Sequence, residues 1–212
     1  MQKYVAACNG DTRKAMTLYR KNLHLSQDMF TVVSCLEVAL RNAIDVQMRT
    51  RWGSDWLRDA VQLGGIFDNH NMARTGAIIR KAYEELRKTG EYSHPKLLAE
   101  MEFGVWKYMF SPRQYQATGQ ILLRVFPNKP KSSPQVQYNH TYIFNELDKV
   151  NTLRNRIAHH EPICFVKGVV GVNTSYVVNE YRSIQTLFAW MGVDSVALLY
   201  GLDHIINISN NM

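Results

Sequence analysis

Apolar residues recur at every third or fourth position along most of this chain, the spacing that places side chains on one face of an α-helix. Capping residues, glycines and prolines separate these periodic segments, as they do between helices of a bundle. The pattern predicts helices over residues 11–23, 26–51, 69–89, 95–110, 114–125, 137–159, 174–191 and 194–206. Asp11 and Ser26 are the candidate N-caps of the first two.

Two segments depart from the helical pattern. Residues 127–134 contain three prolines, two lysines and two serines, a composition that predicts an exposed loop. Residues 163–172 contain β-branched residues interrupted by Gly168 and Gly171, which predicts a short β-hairpin. Neither an internal repeat nor a domain boundary is evident. We therefore predict a single all-α domain over residues 1–212 with a small β accessory.

Composition narrows the class of protein. The chain of 212 residues is 46% apolar and 20% charged, as is ordinary for a folded soluble protein. Its net charge of +7 fits a polyanionic partner, although many helical proteins carry such a charge by chance. Cys8, Cys35 and Cys164 are too scattered for a disulfide framework, which predicts a reducing, cytoplasmic compartment. The apolar runs are too short to cross a membrane.

Residues 153–162, Leu-Arg-Asn-Arg-Ile-Ala-His-His-Glu-Pro, form an unusual polar cluster at the end of an apolar helix. Buried cations are destabilising unless they are paired. Histidine can transfer protons near neutral pH, and arginine can bind a phosphate through two parallel hydrogen bonds. Together they suggest chemistry on a phosphodiester. In the alternative interpretation, Arg156 and the two histidines only complement the negative end of the helix dipole.

Helical geometry assigns different positions to the polar residues of this cluster. At about 100° per residue, Arg154 falls on the arc that faces the core. Asn155 and His159 fall beside each other and face away from the core, so the amide could hold the imidazole ring. His160 returns to the edge of the apolar arc.

A second charged position lies on the core-facing arc of the predicted helix over residues 26–51. Glu37 falls inside that arc and Arg41 falls on its edge. A buried glutamate needs a partner. We expect Glu37 to contact Arg154, and the alternative is a pair between Glu37 and Arg41, which are four residues apart on the same helix.

The cluster resembles the signature of the HEPN superfamily (higher eukaryotes and prokaryotes nucleotide-binding), in which four to six residues separate an arginine from a histidine. Its doubled form, Leu-Arg-Asn-x-x-Ala-His-His, is similar to the Abi-like branch, named for abortive infection against bacteriophage. Residues 36–44, Leu-Glu-Val-Ala-Leu-Arg-Asn-Ala-Ile, and residues 99–106, Ala-Glu-Met-Glu-Phe-Gly-Val-Trp, are similar to that branch in the same order. The resemblance covers about residues 30 to 190.

The resemblance implies a HEPN-type helical bundle and a metal-independent endoribonuclease that uses the ribose 2′-hydroxyl as nucleophile. His159 would act as base or acid, Arg154 would stabilise the phosphorane, and Asn155 would complete the catalytic group. Glu37, Arg41 and His160 would support it. HEPN nucleases place two such motifs in one cleft, which implies a homodimer. The resemblance also implies that RNA is the substrate and that the protein acts in phage defence or as a toxin. An antitoxin is a candidate regulator.

Other functions remain open or are disfavoured by the residues present. The alternative to the nuclease is a non-catalytic module that binds RNA or a protein partner. No cofactor is expected, because nucleotide-binding glycine motifs are absent and the carboxylates are not clustered for two metal ions. His159, His160 and Glu161 could hold an adventitious zinc ion. A nucleotidylated toxin would carry a tyrosine four residues after the histidine, where this chain has Ile163 or Cys164.

Overall fold

The computed structural model describes residues 1–169 and 171–212, and the described residues form helices and no strand. The helices are α1 (Gln2–Ala7), α2 (Thr12–Trp52), α3 (Trp56–Asp59), α4 (Ala73–Lys88), α5 (His94–Ala99), α6 (Phe103–Tyr108), α7 (Pro112–Ala117), α8 (His140–Ala158), α9 (Ser175–Met191), α10 (Ser195–Leu198) and α11 (Ile205–Asn210). Short 3-10 helices cover His70–Met72 and Leu122–Val125. The prediction of an all-α protein is confirmed.

The hairpin predicted over residues 163–172 is wrong for the part of it that the structure describes, and Val170 lies outside the described residues. The segment instead consists of turns whose buried backbone groups bond to a side chain. Among them are the N–H groups of Ile163 and Cys164, which donate to Asn22. Gly168 and Gly171 have positive φ values of 81° and 85°, a conformation that glycine adopts readily. Both glycines therefore lie in turns of this segment.

One helix replaces the two that were predicted between Asp11 and Arg51. The carboxylate of Asp11 accepts a hydrogen bond from the Lys14 N–H at 3.0 Å, so the predicted cap is confirmed. Ser26 lies inside α2 and caps nothing. Since α2 contains neither glycine nor proline, a single serine does not stop it. The helix ends at Trp52, directly before Gly53, whose φ is 89° and whose N–H donates to the Arg49 carbonyl.

Three of the remaining predicted helices are shorter or divided in the structure. The helix predicted over residues 95–110 is interrupted at residues 100–102, between α5 and α6. The helix predicted over residues 114–125 is interrupted where Gly119 and Gln120 have positive φ values of 73° and 59°. The helix predicted over residues 194–206 is divided into α10 and the first residues of α11. By contrast, α4 agrees with its prediction and ends before Gly90, whose φ is 71°.

The chain divides into two compact units, and the single domain stays a prediction. The first unit comprises Met1–Leu36 and Lys149–Met212. A cluster of buried residues in it joins α1 and the start of α2 to the segment after α8: Tyr4, Ala15, Leu18 and Cys164. The motif of residues 154–160 therefore belongs to the same unit as both chain termini.

The second unit comprises Glu37–Asp148 and contains a buried polar network. The carboxylate of Asp45 accepts a hydrogen bond from Trp56 Nε1 at 2.8 Å, and the same oxygen lies 2.7 Å from His94 Nε2. All three side chains are buried, so the network ties α2 to α3 and α5.

None of the helices in the described residues combines the length and the apolar composition that spanning a bilayer requires.

Candidate functional site

The candidate site is built on the C-terminal end of α8. His160 adopts a left-handed conformation with φ of 55°. Its N–H donates to the Ile157 carbonyl at 3.0 Å, and the Glu161 N–H donates to the Arg156 carbonyl at 2.8 Å. These two bonds form a Schellman motif, in which glycine is the usual residue at the left-handed position. The helix therefore stops within the motif, and Pro162 is not what ends it.

His159 and Asn155 lie on the solvent-exposed side of this helix end, as their helical positions predicted. Asn155 is on the last turn of α8, and the His159 N–H donates to the Asn155 backbone carbonyl at 2.9 Å. The imidazole of His159 therefore projects from the last hydrogen-bonded turn of the helix. A histidine at this place is open to a substrate or to a second copy of the chain.

Arg154 and Glu37 are both half-buried. Arg154 belongs to the first compact unit and Glu37 to the second, so the predicted pair between them would join the units and stays a prediction. Arg41 is also half-buried, and within the described residues its buried Nε has no hydrogen-bond partner. The alternative pair, Glu37 with Arg41, lies within the second unit and likewise stays a prediction.

Arg156 is the arginine that organises the segment after α8. Its Nη2 donates to the Pro162 carbonyl at 2.8 Å and to the Phe165 carbonyl at 3.3 Å. Its Nε lies 3.5 Å from the Glu161 carboxylate, and its guanidinium stacks 4.9 Å from the ring centroid of Tyr176. Arg156 thus bonds carbonyls of the loop, which corrects the interpretation that it only complements the dipole of its own helix.

Asn22 fixes the same segment from the side of α2. This side chain is only 4% exposed. Its Oδ1 accepts hydrogen bonds from the Ile163 N–H at 3.0 Å and the Cys164 N–H at 3.1 Å. Burial raises the pKa of the Cys164 thiol to about 11, so this cysteine is a neutral core residue at physiological pH.

Neither Asn22 nor Arg156 was among the predicted site residues. A signal for Asn22 existed, because it is a polar residue on the same side of α2 as Leu18, Leu25 and Met29. The partners of Arg156 are backbone carbonyls in an irregular segment. Sequence periodicity does not report such contacts, since they depend on the path of the loop.

A cleft of about 910 Å³ adjoins the motif within the first unit. Its charged lining residues are three cations and one carboxylate: Lys3, Arg156, Lys167 and Glu161. Phe165 and residues of α1 contribute apolar surface. This excess of positive charge is suited to a phosphate-bearing chain.

Across residues 1–169 and 171–212, no three histidine, cysteine or acidic side chains come together closely enough to hold a metal ion. His159, His160 and Glu161 therefore do not form the zinc site that their order in the sequence allows. What the site offers is an exposed imidazole and nearby guanidinium groups. Histidine can transfer a proton and arginine can stabilise negative charge on phosphate oxygens.

Comparison with protein families, curated proteins and solved structures gives no match for this chain.

Proposed function

We propose that this protein is a metal-independent endoribonuclease of the HEPN type. RNA is its substrate, and the ribose 2′-hydroxyl attacks the adjacent phosphodiester to leave a 2′,3′-cyclic phosphate. His159 transfers the proton, and Arg154 stabilises the charge that develops on the phosphorane. Asn155 holds the imidazole ring through its side chain, and Glu37, Arg41 and His160 are supporting residues.

The observation that carries this proposal is the exposed position of His159 on a helix end that is held in place by neighbouring contacts. The Schellman bonds fix the backbone at His160. Asn22 and Arg156 fix the segment that follows. A proton-transfer group works best when its support is already ordered before substrate binds, because ordering it later would cost free energy in the transition state.

One copy of the chain contributes one His159, directly after α8, whereas cleavage needs both an acid and a base. A two-fold axis near His159 would bring two imidazoles and two arginines to one phosphate. We therefore propose a homodimer through the face that carries His159. Sedimentation of the purified protein tests this part, and a monomer at high concentration that still cleaves RNA would contradict it.

The cellular role that we propose is phage defence or a toxin-like function in the cytoplasm. A protein partner such as an antitoxin would restrain it, since uncontrolled cleavage of RNA would harm the cell.

The chemistry is tested with a single-stranded RNA oligonucleotide in the presence of EDTA. Cleavage should persist, and the 5′ product should end in a 2′,3′-cyclic phosphate. The same oligonucleotide with a 2′-deoxyribose at the cleaved position is the matched control, and it should stay intact because it lacks the nucleophile. Cleavage of this control, or loss of activity in EDTA, would contradict the mechanism. Binding of RNA without cleavage would favour the non-catalytic module instead.

A further inference from the structure

A cleft of about 720 Å³ lies within the second compact unit, and its lining includes no residue of the proposed nuclease mechanism. Its apolar surface comes from α4 and α6, where Ile78, Ala82, Val105 and Tyr108 line it. Ile78 is 41% exposed and Tyr108 is 38% exposed, so the apolar surface is open to a ligand. A volume of this size accommodates a bound ligand or a short peptide segment.

Basic side chains line one part of this cleft. Arg74 stands in the first turn of α4 and Arg113 in the first turn of α7. Arg113 donates a hydrogen bond to the Asn71 side chain at 3.1 Å, which places its guanidinium beside the start of α4. Lys81 lines the cleft two turns further along α4. These cations suit a carboxylate of the ligand.

Acidic side chains line the cleft as well, namely Glu85, Glu100 and Glu102. Among the ion pairs within the described residues, none uses any of these acids or the basic residues of the cleft. Charges of both signs are therefore available to a ligand that carries both signs. The three carboxylates would repel the uniform negative charge of a nucleic-acid backbone.

The spacing of the charges along α4 indicates the length of the ligand. Arg74 and Glu85 are eleven residues apart, which corresponds to about 16 Å along a helix. An extended peptide covers this distance with about five residues. A segment with an acidic and a basic side chain at that separation could pair with both ends of the helix.

Gln114 supplies the hydrogen-bonding group that points to a peptide. Its side chain lines the cleft and is 6% exposed. Its Nε2 donates to Thr75 Oγ1 at 2.6 Å, whereas its buried Oε1 has no hydrogen-bond partner among the described residues. A buried acceptor without a partner is destabilising, so a ligand N–H would be favoured there. The Thr75 hydroxyl retains its own proton for a ligand carbonyl.

We propose that this cleft binds an extended segment of a protein partner, with an acidic side chain at Arg74 and Arg113 and a basic side chain at Glu85. A backbone N–H of the segment donates to Gln114 Oε1, and its apolar side chains cover Ile78 and Tyr108. The proposal does not depend on ribonuclease activity, since it uses no residue of that mechanism.

A display library of random seven-residue peptides, selected on the purified full-length protein, tests this proposal. Selected peptides should carry an aspartate or glutamate about five residues from a lysine or arginine. Binding of each labelled peptide is then measured by fluorescence anisotropy. If selection yields no binder, or yields peptides without this charge pattern, the proposal is wrong.

Substitution of Gly104 by phenylalanine tests whether the peptides occupy the cleft itself. Gly104 lines the cleft, and a Cβ at this position meets no atom within 4 Å, so the fold should tolerate a side chain there. The ring of Gly104→Phe should occupy the cleft and weaken peptide binding at least tenfold. Unchanged affinity in a variant with a wild-type circular dichroism spectrum would overturn the proposal.

Two further variants test the individual contacts. Gln114→Leu should weaken binding about tenfold because the acceptor is lost. Gln116→Leu is the matched control, since Gln116 is exposed on the same helix and does not line the cleft. Glu85→Lys should weaken binding of the selected peptide. A peptide in which glutamate replaces the basic residue should bind the Glu85→Lys variant with the affinity that the original peptide has for the wild type. Without that restoration the assigned orientation is wrong. If a single-stranded RNA binds the wild type but not Gly104→Phe, the cleft binds nucleic acid and the peptide assignment is wrong.

Discussion

Asn22→Leu is the substitution that should most clearly separate the support of the site from its chemistry. Leucine has the same number and branching of side-chain heavy atoms as asparagine, but it is larger and cannot accept a hydrogen bond. The N–H groups of Ile163 and Cys164 would lose their acceptor, and both residues are fully buried. An unsatisfied buried donor costs about 1–3 kcal/mol, so two of them should lower the free energy of unfolding by about 2–6 kcal/mol, less what leucine regains by burial.

Two measurements check this prediction. Urea denaturation gives the change in the free energy of unfolding. Hydrogen exchange should show faster exchange at the amides of Ile163 and Cys164, because the segment can open without breaking the bonds to Asn22. Asn22→Asp keeps the acceptor oxygen, so the amides of Ile163 and Cys164 should stay protected in this variant even though burial of a carboxylate lowers the stability of the fold. If Asn22→Leu changes stability by less than about 1 kcal/mol and leaves exchange unaltered, these hydrogen bonds do not hold the segment.

Other predictions test the second unit and the end of α8. Asp45→Ala should destabilise the fold by about 2–5 kcal/mol in urea denaturation, because Trp56 Nε1 and His94 Nε2 lose their common partner. His160→Gly should leave the free energy of unfolding unchanged or raise it by up to about 1 kcal/mol. The reason is that removing the strain of a side chain at φ of 55° offsets the greater entropy of glycine in the unfolded chain. A large loss of stability would mean that the imidazole of His160 makes stabilising contacts. The hydrogen bond from Tyr92 lowers the pKa of Asp55 below its ordinary 3.8, so that bond stabilises the fold above this pH. Tyr92→Phe should therefore lower the melting temperature at pH 7, and the difference from the wild type should shrink as the pH falls below 3.8; a pH-independent difference would contradict this linkage.

Periodicity predicted the helical class of the fold because most of the chain repeats apolar residues at helical spacing. It was less successful where helices end. Ser26 looked like a cap in the sequence, yet α2 continues through it because the residues around it favour a helix. The division between α5 and α6 depends on residues 100–102, whose composition does not exclude a helix.

The outward position of His159 followed from helical geometry and is confirmed. The left-handed conformation of His160 could not be predicted, since glycine is the residue that usually marks a Schellman motif. The role of Arg156 depends on carbonyl groups of an irregular segment, and only coordinates bring these groups together. The pairing of Glu37 with Arg154 stays a prediction because it would join the two compact units.

The rate at which His159→Ala cleaves single-stranded RNA in EDTA tests the central claim most directly. Loss of the proton-transfer group should lower the single-turnover rate about 10²- to 10⁴-fold relative to the wild type, with an unchanged melting temperature. His24→Ala is the matched control, because His24 is also an exposed histidine in the first unit, and it should cleave at the wild-type rate. A His159→Ala protein that cleaves as fast as the wild type would contradict the proposed mechanism.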